Sequence, residues 1–368
     1  MTEATDVIVI GGGAVGAACA RELARARRRV RVIEPETDRG QAWRAAAGML
    51  APQIEAREGD VLLDLGLAGR ELYGELAPAL KESTGIDIGL WRGGIANVAL
   101  NETDVVSLRG KVAWQRQQGH LCDWLDAAEV KARWPWLAPT HGALWAAREG
   151  AVDPQRLVQA LRADAAKHGA VLVRDEAVGL ETLGDRIVAV AGRSERYPTD
   201  HVILAAGAWS GLIAGLPRPL SVEPIRGEMA AFPWPAGVER AVLYSRDCYL
   251  LARDGEALVG STMEYAGFDA SVTSAGLGRI MAGAALLAPP LAGLDVRRTW
   301  AGLRPMTPDG LPILGAEPRL RGLWYATGHG RNGILLAAIS GLLLRLMLTG
   351  ERPTEDLTPF RPDRFWSW

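Results

Sequence analysis

A discontinuous α/β domain with an inserted antiparallel sheet (an α/β plus α+β chain) is the architecture this 368-residue sequence predicts. Three observations predict it. The chain opens on a β-branched strand, a glycine-rich turn and a helical stretch. Its middle third alternates strands and turns. Its end returns to strand, glycine-rich turn and apolar helix, so the opening and closing segments complete one layered unit. A chain this long exceeds what one compact core usually holds, and two interlocked domains are expected. Residues 1–85, 150–220 and 300–368 form the first, and 86–149 and 221–299 the inserted one.

The first element is Asp6-Val-Ile-Val-Ile10, a run suited to a strand buried on both faces. It leads into Gly11-Gly-Gly13-Ala-Val-Gly16, then a helical stretch over 17–26, then Val30-Arg-Val-Ile33, ending at Glu34. Strand, GxGxxG turn, helix, strand and acid in that order form the dinucleotide fingerprint of a Rossmann-like domain. Gly11 permits the tight turn, Gly13 lets the backbone approach a pyrophosphate, and Gly16 lets helix pack on strand. The helix N-terminus offers free N–H groups to phosphates. Glu34 is placed to accept hydrogen bonds from ribose hydroxyls, and its charge repels a 2′-phosphate, so NADP suits the site least. The fingerprint alone does not separate FAD from NAD.

The run Ala45-Ala-Ala-Gly48-Met-Leu-Ala51 permits close backbone approach, as a flavin ring needs, although by itself it reads equally as an alanine-rich helix start. Asp153-Pro154 supplies an N-cap and a first-position proline for a helix ending near His168-Gly169. Strands follow over 170–173, 178–181 and 187–190, then His201-Val-Ile-Leu-Ala-Ala-Gly207, a buried strand closing on a glycine that suggests close approach to a cofactor. Six tryptophans between 86 and 149 (Trp91, Trp114, Trp124, Trp134, Trp136 and Trp145) fit no cage spacing and suit packing between domains. Residues 222–262 read as an antiparallel meander. Near the C-terminus, the turn His329-Gly330-Arg331-Asn332 precedes a helix opening at Gly333-Ile334. That helix start is a second site for negative charge, suited to the N1/C2 carbonyl region of a reduced flavin. His329 suits a local hydrogen bond in the turn better than a general base.

Composition narrows the function classes. A net charge of −2 provides no basic field for nucleic acid. Arg25, Arg27, Arg28 and Arg29 cluster at a helix end, where cations suit the dipole and face solvent. The apolar stretch 334–348 is too short to span a bilayer and reads as a buried helix. Cys19, Cys122 and Cys248 form no disulfide framework, and a strand begins too early for a signal peptide, so a cytoplasmic location is expected. Five histidines without paired ligand spacing argue against a metal.

Taken together, GGGAVG at 11–16, the segment 45–49, the Tyr249 strand, GSTM at 260–263, WAGLRPMTPDG at 300–310 and GHGRNGILL at 328–336 resemble the D-amino acid oxidase superfamily of FAD-dependent oxidoreductases. Within it they are most similar to the glycine oxidase branch associated with thiamine thiazole synthesis, and the resemblance covers essentially the whole chain. It implies noncovalent FAD and an amino-acid site over the flavin face. By the same resemblance Arg304 binds substrate carboxylate, Tyr249 assists, Met263 lines the site, and Arg331 sits beside flavin and substrate. Ala14, Val15, Glu34, Pro35, Ala47, Gly48, Met49 and Val178 fall on positions that hold the cofactor. Three departures stand out. Trp43 and Arg44 replace small hydroxyl residues near the pyrophosphate, Asp247 stands where some relatives carry a His, and Gly330 lies where a Phe can occur.

The implied reaction asks little of side chains. Hydride leaves the α-carbon of a neutral amine, so the protein must mainly orient substrate and exclude water. The planar fork of Arg304 suits a carboxylate bidentately, and Tyr249 adds a hydroxyl donor. The imine hydrolyses to the 2-oxo acid and ammonia, and oxygen, as acceptor, yields peroxide. Related sarcosine oxidases tether flavin through a C-terminal Cys and place a Lys over the ring. Here no Cys follows Cys248, and Lys81, Lys111, Lys131 and Lys167 lie outside the motifs, which favours noncovalent FAD. Two rivals share these motifs: a dehydrogenase passing electrons to a quinone or carrier, and a non-catalytic flavin-binding protein. A homo-oligomer is compatible with the sequence.

Overall fold

The computed structural model describes residues 5–35, 37–235 and 237–365. The β-branched runs assemble into a six-stranded sheet in the order Ile313–Ala316, Leu323–Thr327, Val202–Leu204, Val7–Ile10, Val30–Ile33, Val171–Val173. All neighbours pair in parallel except the edge strand Ile313–Ala316. Register places Ile8 between Val202 and Arg31. Alternate residues of the first strand serve two cores. Val7 and Val9 pack with Leu23, Leu76, Leu161 and Leu336 of four helices (Ala14–Arg25, Leu62–Thr84, Pro154–Lys167 and Gly333–Leu348). Ile8 and Ile10 pack with Leu180, Ile187, Val190 and Tyr197 of a separate three-stranded sheet. Burial on both faces is why the strand reads as an unbroken apolar run.

Asp153 caps its helix as expected, accepting from the N–H groups of Gln155 at 2.8 Å and Arg156 at 3.0 Å. The apolar C-terminal stretch is the buried helix Gly333–Leu348, packed on Ala14–Arg25 and Leu62–Thr84. Among the described residues no helix is long and apolar enough to cross a membrane.

The second sheet has eight strands, in the order Arg298–Met306, Glu223–Pro233, Glu256–Gly260, Tyr249–Arg253, Val242–Tyr244, Ile95–Ala99, Gly142–Ala146, Asp123–Leu125. Pairing is antiparallel apart from Val242–Tyr244 beside Ile95–Ala99, which is parallel. The sheet corrects three expectations. The meander consists of 242–260 alone, and Glu223–Pro233 joins beyond its last strand instead of opening it. The boundary at 299/300 falls inside the strand Arg298–Met306, which pairs continuously with Glu223–Pro233 from Arg298 opposite Ala231 to Met306 opposite Glu223. A strand paired along its whole length belongs to one sheet, so Arg304 is carried by the second. The tryptophans do not all sit between domains. Trp134, Trp136 and Trp145 pack inside the second sheet's own core, and Trp134 and Trp145 lie 5.8 Å apart. Trp91 and Trp124 join the cluster containing Ala47, Ala51 and Ile54, which links the two halves.

Candidate active site

A cleft of about 550 Å³ runs from the carboxyl ends of the six-stranded sheet to the face of the eight-stranded one. Ile10, Ile33, Ala205 and Thr327, at or just beyond four parallel strand ends, line it, where ligands of open α/β sheets bind. Gly11 has a φ of 97°, and a Cβ there would lie 2.5 Å from the Ala205 carbonyl oxygen, so the turn requires glycine. Gly13, Ala14 and Val15 line the cleft. Gly16 does not: it is buried behind the turn, where a Cβ would collide with the Gly11 carbonyl oxygen, and its part is packing.

Glu34 lines the cleft beside Pro35 and accepts from the Gly12 N–H at 2.8 Å. Its other oxygen meets Arg162 at 3.2 Å, and Arg162 also donates to the Gly12 carbonyl at 2.8 Å. Arg162 escaped the sequence reading because it lies 128 residues from its partner. Trp43 lines the cleft against Gly13, and its indole Nε1 is buried without a hydrogen-bond partner among the described residues. Arg44 instead faces solvent, stacked on the Trp43 ring at 4.5 Å.

The helices Ala14–Arg25 and Gly333–Leu348 both start at the cleft, and neither carries a side-chain cap among the described residues. By contrast, Asn101, Asp153 and Thr273 cap the starts of three helices elsewhere. Two helix starts whose N–H groups no side chain satisfies suit a ligand with separated anionic parts. Ala47, Gly48, Met49, Val178 and Gly207 line the wall between them, and His329, Gly330, Arg331, Asn332, Gly333 and Ile334 close the far end. The cradle fits FAD: an acid and a glycine turn for the ribose and pyrophosphate, an unpartnered indole donor beside them, and small residues further on. His329 accepts or donates at 2.9 Å to the Ser340 hydroxyl, and burial pushes its imidazole down to about 3. Its partner lies in the helix Gly333–Leu348, eleven residues on, and not within the turn.

At the other end, Arg304 lies among Tyr249, Met263 and Arg331, all lining the cleft. Its guanidinium donates to the Thr262 carbonyl at 3.0 Å and the Ser261 hydroxyl at 2.6 Å. Burial lowers its pKa, an effect Tyr249 opposes. Gly227 lies against it on the neighbouring strand, and any Cβ there would overlap the guanidinium. Nothing local marks Gly227, since its need for glycine comes from a residue on another strand. The Tyr249 hydroxyl contacts the Met229 sulfur at 3.0 Å, and burial raises its pKa. Met263 is 55% exposed at the mouth.

Glu55 and Tyr244 were also missed. Arg331 pairs with Glu55 at 2.9 Å, and the second Glu55 oxygen accepts from the Tyr244 hydroxyl at 2.9 Å. Asp247 lines the cleft from an exposed position. Gly330 has a φ of 55°, and a Cβ would sit 2.7 Å from the Met306 sulfur, so a side chain there must displace Met306.

Fold and site together define a dinucleotide-binding protein with a buried arginine, Arg304, in the cofactor cleft. The chain belongs to the FAD-dependent oxidoreductase family, whose model matches residues 6–346. It is 35% identical to a glycine oxidase of Geobacillus kaustophilus, covering 98% of this chain and 97% of that one. The crystal structure of glycine oxidase from that organism superposes with a TM-score of 0.95 at 34% identity, covering 100% of both chains. Similarity extends to hydrogen cyanide synthase subunit HcnC of Pseudomonas aeruginosa, at 32% identity over 99% of this chain and 97% of that one. The chain is therefore an FAD-dependent enzyme of amino-acid oxidation.

Proposed function

We propose that the protein oxidatively deaminates glycine or small D- or N-methyl amino acids, giving the 2-oxo acid, hydrogen peroxide and ammonia (methylamine from an N-methyl substrate), with oxygen as acceptor. The observation that carries this reading is Arg304, held by Ser261 and Thr262 with Tyr249 beside it in the cofactor cleft. A planar guanidinium locked by two hydrogen bonds presents its remaining donors to a carboxylate and fixes orientation as well as charge. When bound, FAD supplies the two-electron acceptor, at flavin N5, for the hydride leaving the substrate α-carbon. Arg304 and Tyr249 fix the carboxylate end, so the α-carbon is oriented without a protein base.

Noncovalent FAD accords with the thiols. Cys19, Cys122 and Cys248 are all buried, and burial pushes the Cys248 thiol, the one lining the cleft, up to about 11. Similarity to glycine oxidase supports the substrate class; a cytoplasmic setting and supply of thiamine thiazole synthesis belong to the same proposal. A second reading, in which the same cleft feeds electrons to a quinone or carrier, differs from the first in the acceptor alone.

Anaerobic titration of the flavin spectrum with glycine, sarcosine, D-alanine and D-proline tests the substrate. Bleaching by glycine or sarcosine is expected; reduction by D-alanine and D-proline alone would overturn the narrower assignment. Peroxide formed on admitting air separates oxidase from dehydrogenase.

A further inference from the structure

Glu55 reaches the cleft from Pro52–Glu55, a single helical turn that cannot satisfy its own backbone. Within it only Glu55 and Ala56 donate backward, to Ala51 and Pro52. The orphan groups of so short a helix need outside partners, and three buried or half-buried side chains supply them. One Glu149 carboxyl oxygen accepts from the N–H groups of Gln53 and, at 3.3 Å, Ile54. Gln115 donates to the Gln53 carbonyl at 2.8 Å, and Lys111 donates to the Ile54 carbonyl at 2.7 Å. The Gln53 side chain is itself held by Gln115 and Arg70. Glu149 is wholly buried and does not line the cleft.

We propose that Glu149, assisted by Lys111 and Gln115, is a positioning residue that clamps the Pro52–Glu55 turn and so fixes the Glu55 carboxylate between Tyr244 and Arg331 in the substrate cleft. The inference rests on the amino-acid site proposed above. Its functional content is charge placement: Glu55 neutralises Arg331, so a carboxylate entering the cleft is directed to Arg304 alone. If Glu55 were released, Arg331 would offer a competing, misoriented clamp, and turnover would fall more than affinity. Burial pushes the Glu149 carboxyl up to about 8, which keeps a second anion away from Glu55 at neutral pH. Its other oxygen has no partner among the described residues, the natural place for that proton. A carboxamide is thus the isostere of the form present.

The experiment is a double-mutant cycle on the FAD-loaded enzyme. It reads kcat, KM and the flavin absorbance change on binding acetate, a carboxylate that cannot be oxidised. Glu149→Ala is expected to lower kcat about tenfold with KM changed little, Glu55→Gln to do the same, and the pair to be no worse than either, because coupled residues are not additive. Glu149→Gln restores turnover. Lys111→Met, which leaves Glu149 in place, gives a weaker loss that also vanishes in the Glu55→Gln background and serves if Glu149→Ala fails to fold. Additive losses, or a Glu149→Gln variant as impaired as Glu149→Ala, overturn the proposal. A wild-type flavin that neither shifts with acetate nor bleaches with any amino acid overturns the amino-acid site itself. An active wild type with an additive cycle removes only the role of Glu149.

Discussion

Arg304 is the residue on which the proposed carboxylate site depends. Its sequence context is an Arg before a Pro on a strand, which alone reads as readily as a structural ion pair. The structure gives it no carboxylate partner among the described residues; its two hydrogen bonds go to a neutral carbonyl and a hydroxyl. A buried cation so placed retains its attraction for a ligand anion. Arg304→Ala is expected to leave FAD bound while weakening carboxylate ligands by roughly 2–5 kcal/mol, the scale for removing one member of a desolvated charge pair. The absorbance change with acetate measures it, and parallel loss of flavin would make the residue structural. Tyr249, Met263 and Arg331 were picked out by the recognisable strings around them, and all three line the cleft together with the glycine turn. Glu55, Tyr244, Arg162 and Gly227 were not picked out. Each acquires its part from a partner far away in sequence, as Tyr244 does from Glu55 across 189 residues.

Helix starts are satisfied in different ways. Asp153, Asn101 and Thr273 satisfy their first-turn N–H groups with side chains, and these caps serve stability. The helices Ala14–Arg25 and Gly333–Leu348, which start at the cleft, have no such caps, and their free donors suit a ligand. Asp153→Ala should therefore cost about 1 kcal/mol of stability. Because the same helix carries Arg162 to Glu34, FAD affinity should fall with it. Thermal melts with and without added FAD read both effects, and an unchanged melt would show that the cap contributes nothing. Strand existence was legible from apolar runs. Strand neighbours were not: Arg298–Met306 looked like the return to the first domain, yet cross-strand pairing with Glu223–Pro233 assigns it to the second sheet.

Over the whole molecule, two buried titratable groups bend stability in opposite directions. The His329 pKa is lowered to about 3 from 6.5, so below 6.5 the unfolded chain binds the extra proton. That contribution is complete above pH 6.5 and is lost as pH falls towards 3. The Glu149 pKa is raised from 4.5 to about 8, so the folded state holds the proton more tightly. Its contribution is complete below pH 4.5 and is lost as pH rises through 8. Melting temperature against pH should therefore pass through a maximum, and Glu149→Gln should flatten the alkaline side; an unchanged alkaline slope would show that Glu149 does not titrate there. By itself the sequence determined the dinucleotide fingerprint, the fold class and the FAD family, because local strings of glycine, small and apolar residues suffice to specify turns, strands and helix starts. Only the tertiary structure decided which sheet carries Arg304, where Glu55 stands and what holds it there. Pairing between distant strands and the satisfaction of buried polar groups depend on residues that the chain brings together only on folding.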